Sequence, residues 1–342
     1  MPDLLAADID RQIHLLIRNL VEIKDTSGEF LLRLPDGRVI DTKGWNDWEW
    51  THGIGLYGIL KYYQQTNDAR CREIMLHWFR DRFAAGTPTK NINTVAPFLT
   101  LAYLHEESPN PSWLPYLDEW AEWLMDGLPR TEENGFQHIV FNSVNDQQMW
   151  DDTLMMSVLP LAKIGKLLGR PQYVEEARRQ FMLHIKYLVD RKTGLWFHGW
   201  TFDGRHNFAD ALWARGNCWV TIAIPEFIEL LGLKPGDGLR EFLLETHLQQ
   251  IRTRLGQREV GLHEQGEAPA FETLEHPALP ERARAVEALR LHARRHLPQL
   301  GRATRPRQAR VPHVVVEIEL VVIDPDGMIL ERDAAQLATV VG

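Results

Sequence analysis

DTLMMSVLPLAKIGKLLGRPQY, residues 152–173, carries apolar side chains at helical spacing, then a Gly-Arg-Pro turn, then the start of a second helix. GIGLYGILKYYQQTNDAR (53–70) and CWVTIAIPEFIELLGLKP (218–235) repeat that design. Each places a rather apolar helix before a turn, and the helix that follows the turn has more charge on one side. Helical periodicity runs through 8–24, 53–65, 69–84, 95–104, 115–127, 153–168, 172–189 and 219–231, with a ninth run at 238–249. Short Gly, Pro, Asn and Asp segments separate these runs. The pattern predicts an all-α domain of stacked helical hairpins, with an architectural repeat rather than a clean sequence period.

The 342 residues are enough for one large core or two ordinary domains, and 44% hydrophobic with 25% charged residues describes a soluble globular chain. No apolar stretch approaches the roughly 18 residues needed to span a bilayer, so no membrane partner is expected. The beginning, MPDLLAADIDRQIHLLIRNLVEI, has acids where a secretory signal has bases, which predicts a cytoplasmic location. A net charge of −9 argues against a nonspecific nucleic-acid surface. Cys71 and Cys218 lack CxxC spacing and read as reduced, buried thiols. No phosphate loop, GxGxxG, HExxH or paired-cysteine signature is present, so neither cofactor nor metal is expected.

Composition changes abruptly near residue 245. All 12 Trp lie between Trp45 and Trp219, the last Tyr is Tyr187 and the last Lys is Lys234. Residues 246–342 hold 13 Arg and no Lys, Tyr, Trp or Cys. The division is therefore 1–245 for the helical domain and 246–342 for an atypical Arg-rich region. That region reads either as an appended domain or as a shifted reading frame. Within it, 281–297 suits an amphipathic helix, and VPHVVVEIELVVIDPDGMILERD (311–333) suits a hairpin turning at DPDG.

The chemistry concentrates where helices begin. In GFQHIVFNSVNDQQMWDDTLMMSVLPLAKIG (135–165), two acids follow Trp150 just before an apolar helix. Asp151 is placed as the N-cap, which leaves Asp152 in the first turn as the candidate acid catalyst. A helix N-terminus lowers a carboxyl pKa and confinement against indole raises it; an acid catalyst requires the second effect to win. GLWFHGWTFDGRHNFADALWARGNCWV (194–220) gathers Trp196, His198, Trp200, Trp213, Arg215 and Trp219. Indole rings stack on sugar faces and a guanidinium grips a carboxylate with two bonds, so the set suggests an acidic sugar. GWNDWEWTHG (44–53) has the same texture, with Trp45, Trp48, Trp50 and His52. TKNINTVAPFLTLAYLHE (89–106) offers Asn91 and Asn93, either of which suits a cap or a hydroxyl contact but not proton transfer. Each residue alone also has a structural reading as cap, core ring or salt-bridge partner.

MWDDTLM (149–155) together with WARGNCW (213–219), supported by GLWFHGW (194–200), resembles the unsaturated rhamnogalacturonyl hydrolases and related unsaturated glucuronyl hydrolases. The resemblance covers roughly residues 8–245 and implies an (α/α)6 barrel of six hairpins with the site at one end of the inner ring. It implies removal of a terminal unsaturated uronic acid from pectin- or glycosaminoglycan-derived oligosaccharides. The acid protonates C4 of the C4=C5 enol ether, water adds at C5, and the hemiketal rearranges to release the rest of the sugar. It would make Asp152 the acid/base, Trp150, Trp213 and Trp219 sugar-binding residues, and His198 and Arg215 polar contacts. Trp50 and Asn93 complete the expected substrate-binding set, and the substrate is an acidic oligosaccharide. Asn93 stands where such proteins usually carry a second Asp, and nine helices fall short of twelve. The expected fold is thus barrel-like and incomplete at its C-terminal end. The competing readings are a carbohydrate-binding or catalytically impaired relative and a sugar epimerase or isomerase.

Overall fold

The computed structural model describes residues 6–33, 37–208 and 210–263 and the backbone of two short strands, 322–323 and 329–330. By contact density the chain divides into a body, Ile13–Thr253, and a second unit made of Met1–Gln12 and Arg254–Gly342.

In the body, α1 (Ala6–Glu22, its first turns belonging to the other unit) leads to a hairpin of β1 (Leu31–Arg33) and β2 (Val39–Asp41). Helices follow in pairs: α2 (Trp50–Thr66) with α3 (Ala69–Ala85), and α4 (Ile92–Val95) and α5 (Pro97–Glu107) with α6 (Leu114–Glu122). Next come β3 (Gln148–Trp150), α7 (Leu159–Leu167), α8 (Pro171–Leu188), β4 (Gly199–Thr201), α9 (Ala214–Leu231) and α10 (Gly238–His263). The apolar helices α2, α5, α7 and α9 pack side by side as an inner layer, and their more charged partners α3, α6, α8 and α10 follow each of them. This is the (α/α)-barrel arrangement that the family resemblance implies, built from the helical hairpins that the periodicity predicts. An inner helix has neighbours all round and needs apolar faces all round, whereas an outer helix keeps a wet side.

Local sequence explains several details that position the site. The left-handed residue Asn67 ends α2, and Asp68, whose carboxylate accepts the N–H of Arg70, starts α3. Gly53 lies so close to α4 that a Cβ there would sit 2.5 Å from the Cβ of Ala96, which lets α2 and α4 converge at one end. Away from that end Glu226 of α9, 4% exposed, accepts the hydroxyls of Tyr57 (2.7 Å) and Tyr103 (2.6 Å) and pairs with Lys61 (2.6 Å). One carboxylate thereby ties α9 to α2 and α5. Among the described residues no helix is long and apolar enough to cross a membrane.

α10 runs through residues 245 and 246, where the composition changes. In the second unit β5 (Val322–Ile323) pairs antiparallel with β6 (Ile329–Leu330), on either side of the expected DPDG turn. That turn, the helix expected over 281–297 and the closing hairpins of the ring lie outside the described residues.

Candidate active site

Two short strands bring the diagnostic stretches together. β3 pairs with β4 so that Trp150 faces Gly199, and the Asp151 N–H extends the ladder by donating to the His198 carbonyl at 3.0 Å. Asn217 adds the third stretch: its Oδ1 accepts the Trp196 N–H (2.9 Å) and its Nδ2 donates to the Trp196 carbonyl (2.8 Å). Gln250 of α10 then donates to Asn217 Oδ1 at 3.0 Å. Gly216 is required by the same junction, because a Cβ there would lie 2.1 Å from Asp151 Oδ2. The turn after Asp152 widens into a π-helical stretch, Leu154–Val158, just ahead of Pro160, which cannot donate to the helix ladder.

The outcome is a pocket of about 630 Å³ lined by Trp50, Asn93, His138, Trp150, Asp152, His198, Trp213 and Arg215, with Val140, Phe141, Ala211 and Leu212 adding apolar wall. The ring of His138 stacks on Trp150 at 4.3 Å between centroids and 5° between planes. His198 meets Trp213 edge to face at 4.6 Å. The Arg215 guanidinium lies 4.1 Å over Trp213 and 5.6 Å from Trp50, so two indoles hold the one cation among these pocket-lining residues.

Asp152 is 15% exposed, and Asp151 beside it is wholly buried. His198 Nδ1 lies 3.0 Å from Asp151 Oδ1 and 3.4 Å from Asp152 Oδ2. Burial pushes the Asp152 carboxyl up, the charge of Asp151 pushes it further, and His198 opposes. Burial also raises Asp151, against hydrogen bonds from Asp152 and its backbone amide. His198 is lowered by burial, which Asp152 opposes and Arg215 reinforces, and His138 is lowered well below the usual range by burial. Both shifts favour the neutral imidazole. Asp151, Asp152 and His198 offer one donor atom each within 4.8 Å of one another. A cation would accept that spacing, but the direct His198–Asp151 hydrogen bond turns Nδ1 toward a carboxylate rather than toward a shared centre.

The family profile of Glycosyl Hydrolase Family 88 matches residues 22–263, which include every pocket residue. The chain belongs to glycosyl hydrolase family 88. An unsaturated rhamnogalacturonyl hydrolase of Bacillus subtilis (strain 168) is 30% identical over 186 residues, 54% of each protein, so the chain spans about half the length of that curated relative. A crystal structure described as a possible member of the GH105 family, from Salmonella enterica serovar Paratyphi A, is 59% identical. It aligns over 74% of this chain and 67% of its own with a TM-score of 0.72. A structure described in the same words from Klebsiella pneumoniae is 58% identical, over 75% and 67%, with a TM-score of 0.73.

In this family 88 chain the structure brings seven of the eight expected site residues to the pocket wall: Trp50, Asn93, Trp150, Asp152, His198, Trp213 and Arg215. Trp219 stands behind it, 3% exposed, with its ring 5.8 Å from Trp50 at 70°, so it braces Trp50 from the core. Asn91 is the cap of α4, accepting the N–H groups of Asn93 and Thr94, and this leaves Asn93 for the pocket. Asp151 precedes its helix, as expected of a cap, and its carbonyl accepts the Leu154 N–H. Its carboxylate turns instead to His198, because the β3–β4 ladder places that ring beside it. Trp45, Trp48, His52 and Trp196 are buried packing residues. Sequence reasoning assigned no role to His138, Val140 or Phe141, although GFQHIVF precedes the acid motif. A single histidine in an irregular segment carries no periodicity to expose its stacking partner.

Proposed function

We propose that this chain removes a terminal unsaturated uronic acid from pectin-derived oligosaccharides by protonating and hydrating its C4=C5 enol ether. The observation that carries the reading is Asp152, largely shielded from solvent and with its carboxyl pushed up by that burial, sharing one pocket with Arg215 and three indoles. The name of the Bacillus relative, an unsaturated rhamnogalacturonyl hydrolase, supports the same substrate class.

Chemistry follows from the charges. Arg215 grips the uronate carboxylate with its planar, two-pronged donor face, which Trp50 and Trp213 hold in place. Trp150, backed by His138, offers a flat apolar face to the sugar ring. Asp152 gives its proton to C4, and the positive charge that develops at C5 is shared with the ring oxygen. The resulting carboxylate takes a proton from water as that water bonds to C5. The hemiketal opens, the aglycone leaves, and Asp152 is again protonated. One acid serves both halves, so no covalent glycosyl-enzyme is needed. Asn93 contributes a neutral amide for a hydroxyl or the attacking water.

The test is incubation with an unsaturated uronyl–rhamnose disaccharide, following loss of the enol ether's ultraviolet absorbance and release of free rhamnose. Parallel loss and release support the proposal. Saturable binding with unchanged absorbance would replace it with the carbohydrate-binding reading.

A further inference from the structure

Asp151 and Asp152 are adjacent carboxyls that converge on a single imidazole nitrogen, at 3.0 and 3.4 Å. They differ in what else they meet. Asp151 has no exposure, packs against the Cα of Gly216 and sets its Oδ1 3.0 Å from His198 Nδ1. Asp152 lines the pocket. Burial favours the neutral imidazole of His198, and in the tautomer that keeps its proton on Nδ1 the shorter contact sends that N–H to Asp151. The carboxylate that accepts this bond is the better seat for negative charge, and its neighbour the better seat for a proton.

We infer that Asp151 is a positioning residue that holds the single negative charge of the pair, so that Asp152 keeps the proton it delivers. This rests on Asp152 being the acid of the proposed reaction. Two carboxyls with oxygens within 4.8 Å of each other do not both ionise readily near neutrality in a buried site. With one proton shared, the pair carries one charge, which Arg215 balances. The pocket is then neutral toward an incoming uronate, whereas two ionised carboxylates would repel it. The groups facing the pair are His198 from the segment entering β4, His138 from the loop before β3, and Arg215 from α9; α4 contributes only the neutral Asn93. Burial alone raises an acid, but the like charge beside Asp152 adds to it, and only Asp151 supplies that charge.

The test is the pH profile of kcat/KM for Asp151→Asn, which keeps the shape against Gly216 and the acceptor for His198 while removing the charge. The alkaline limb, which reports the acid of the free enzyme, moves to lower pH by about one unit or more, and activity above both limbs falls about tenfold while the acidic side changes little. A uniform loss across pH, with no movement of the limb, would overturn the inference and leave Asp151 a shape-keeping residue. Isotope-edited infrared spectroscopy of the unaltered protein near neutral pH decides independently, whether or not the variant folds. One protonated aspartate per chain supports the shared proton; none or two overturns it. That count also separates the two ideas, since a protein inactive on unsaturated uronides fails the proposed function and still has a proton count.

Discussion

Asp152 and Asp151 are identical in chemistry and adjacent in sequence, yet the β3–β4 ladder buries one against Gly216 and turns the other into the pocket. Asp152→Asn is expected to lower turnover of an unsaturated uronyl disaccharide by roughly 10²-fold or more, the usual worth of a positioned acid. The fold should be unchanged by near-ultraviolet circular dichroism, and near-wild-type turnover would reject the assignment. Arg215→Lys should raise KM for the uronate roughly tenfold or more, because an ammonium cannot reproduce two parallel bonds. KM for the methyl ester of the same sugar should barely move, and equal losses would make Arg215 a structural residue. At this scale the sequence was informative where two motifs constrained each other and weak where it offered only residue type. Nothing in GWNDWEW marks Trp50 as lining and Trp48 as core; helix geometry decides, since Trp48 precedes the helix and buries its Nε1–H on the Thr94 carbonyl. Asn91 and Asn93 likewise look alike until the capping box claims the first.

The helices were legible because a 3.6-residue apolar period over several turns is a long signal, and the nine expected runs correspond to the described helical pairs and α1. The strands were not. β3 and β4 hold three residues each, too few for alternation to register, although they set the geometry of the acid pair. The break within the helix after Asp152 was equally hidden, since Pro160 signals a kink but not a π turn. What fastens the strand segment to α9 is Asn217, and Asn217→Ala would strand the buried N–H and carbonyl of Trp196. The expected cost is about 2–6 kcal/mol in urea unfolding, at about 1–3 kcal/mol for each of the two orphaned buried groups. Turnover should fall as well, because His198 lies two residues from Trp196 on that segment. A stability loss below about 0.5 kcal/mol would show that water replaces the amide.

Over the whole molecule, the buried titratable groups oppose one another in how stability depends on pH. Glu49, 3% exposed at the start of α2, is pushed up to about 7 by burial, against the Trp50 N–H and the Asn93 amide. Asp151 and Asp152 move in the same direction. An acid raised by folding binds its proton more tightly in the native state, so its stabilisation is present below the unfolded value and lost as pH climbs through the folded one. The buried histidines do the reverse: His184 and His247 are lowered to about 4, and His52, His138 and His198 are also lowered, all chiefly by burial. Their native forms shed protons, so stability rises with pH toward the ordinary histidine value of 6.5 and gains nothing more from them above it. Below that value the histidines' gain and the carboxyls' loss act against each other. Above 6.5 only the carboxyls among these groups still titrate, and stability turns downward. The expected result is a melting temperature that falls between pH 6.5 and about pH 8 in a series of buffers of equal ionic strength. Glu49→Gln keeps the neutral shape and removes its titration, so it should shrink the loss between pH 6.5 and about pH 8 by about 1 kcal/mol, the share of a group titrating near 7. A profile in which Glu49→Gln falls as steeply as the wild type over that interval would show that Glu49 is already ionised in the native protein, and the slope would then belong to the aspartate pair alone.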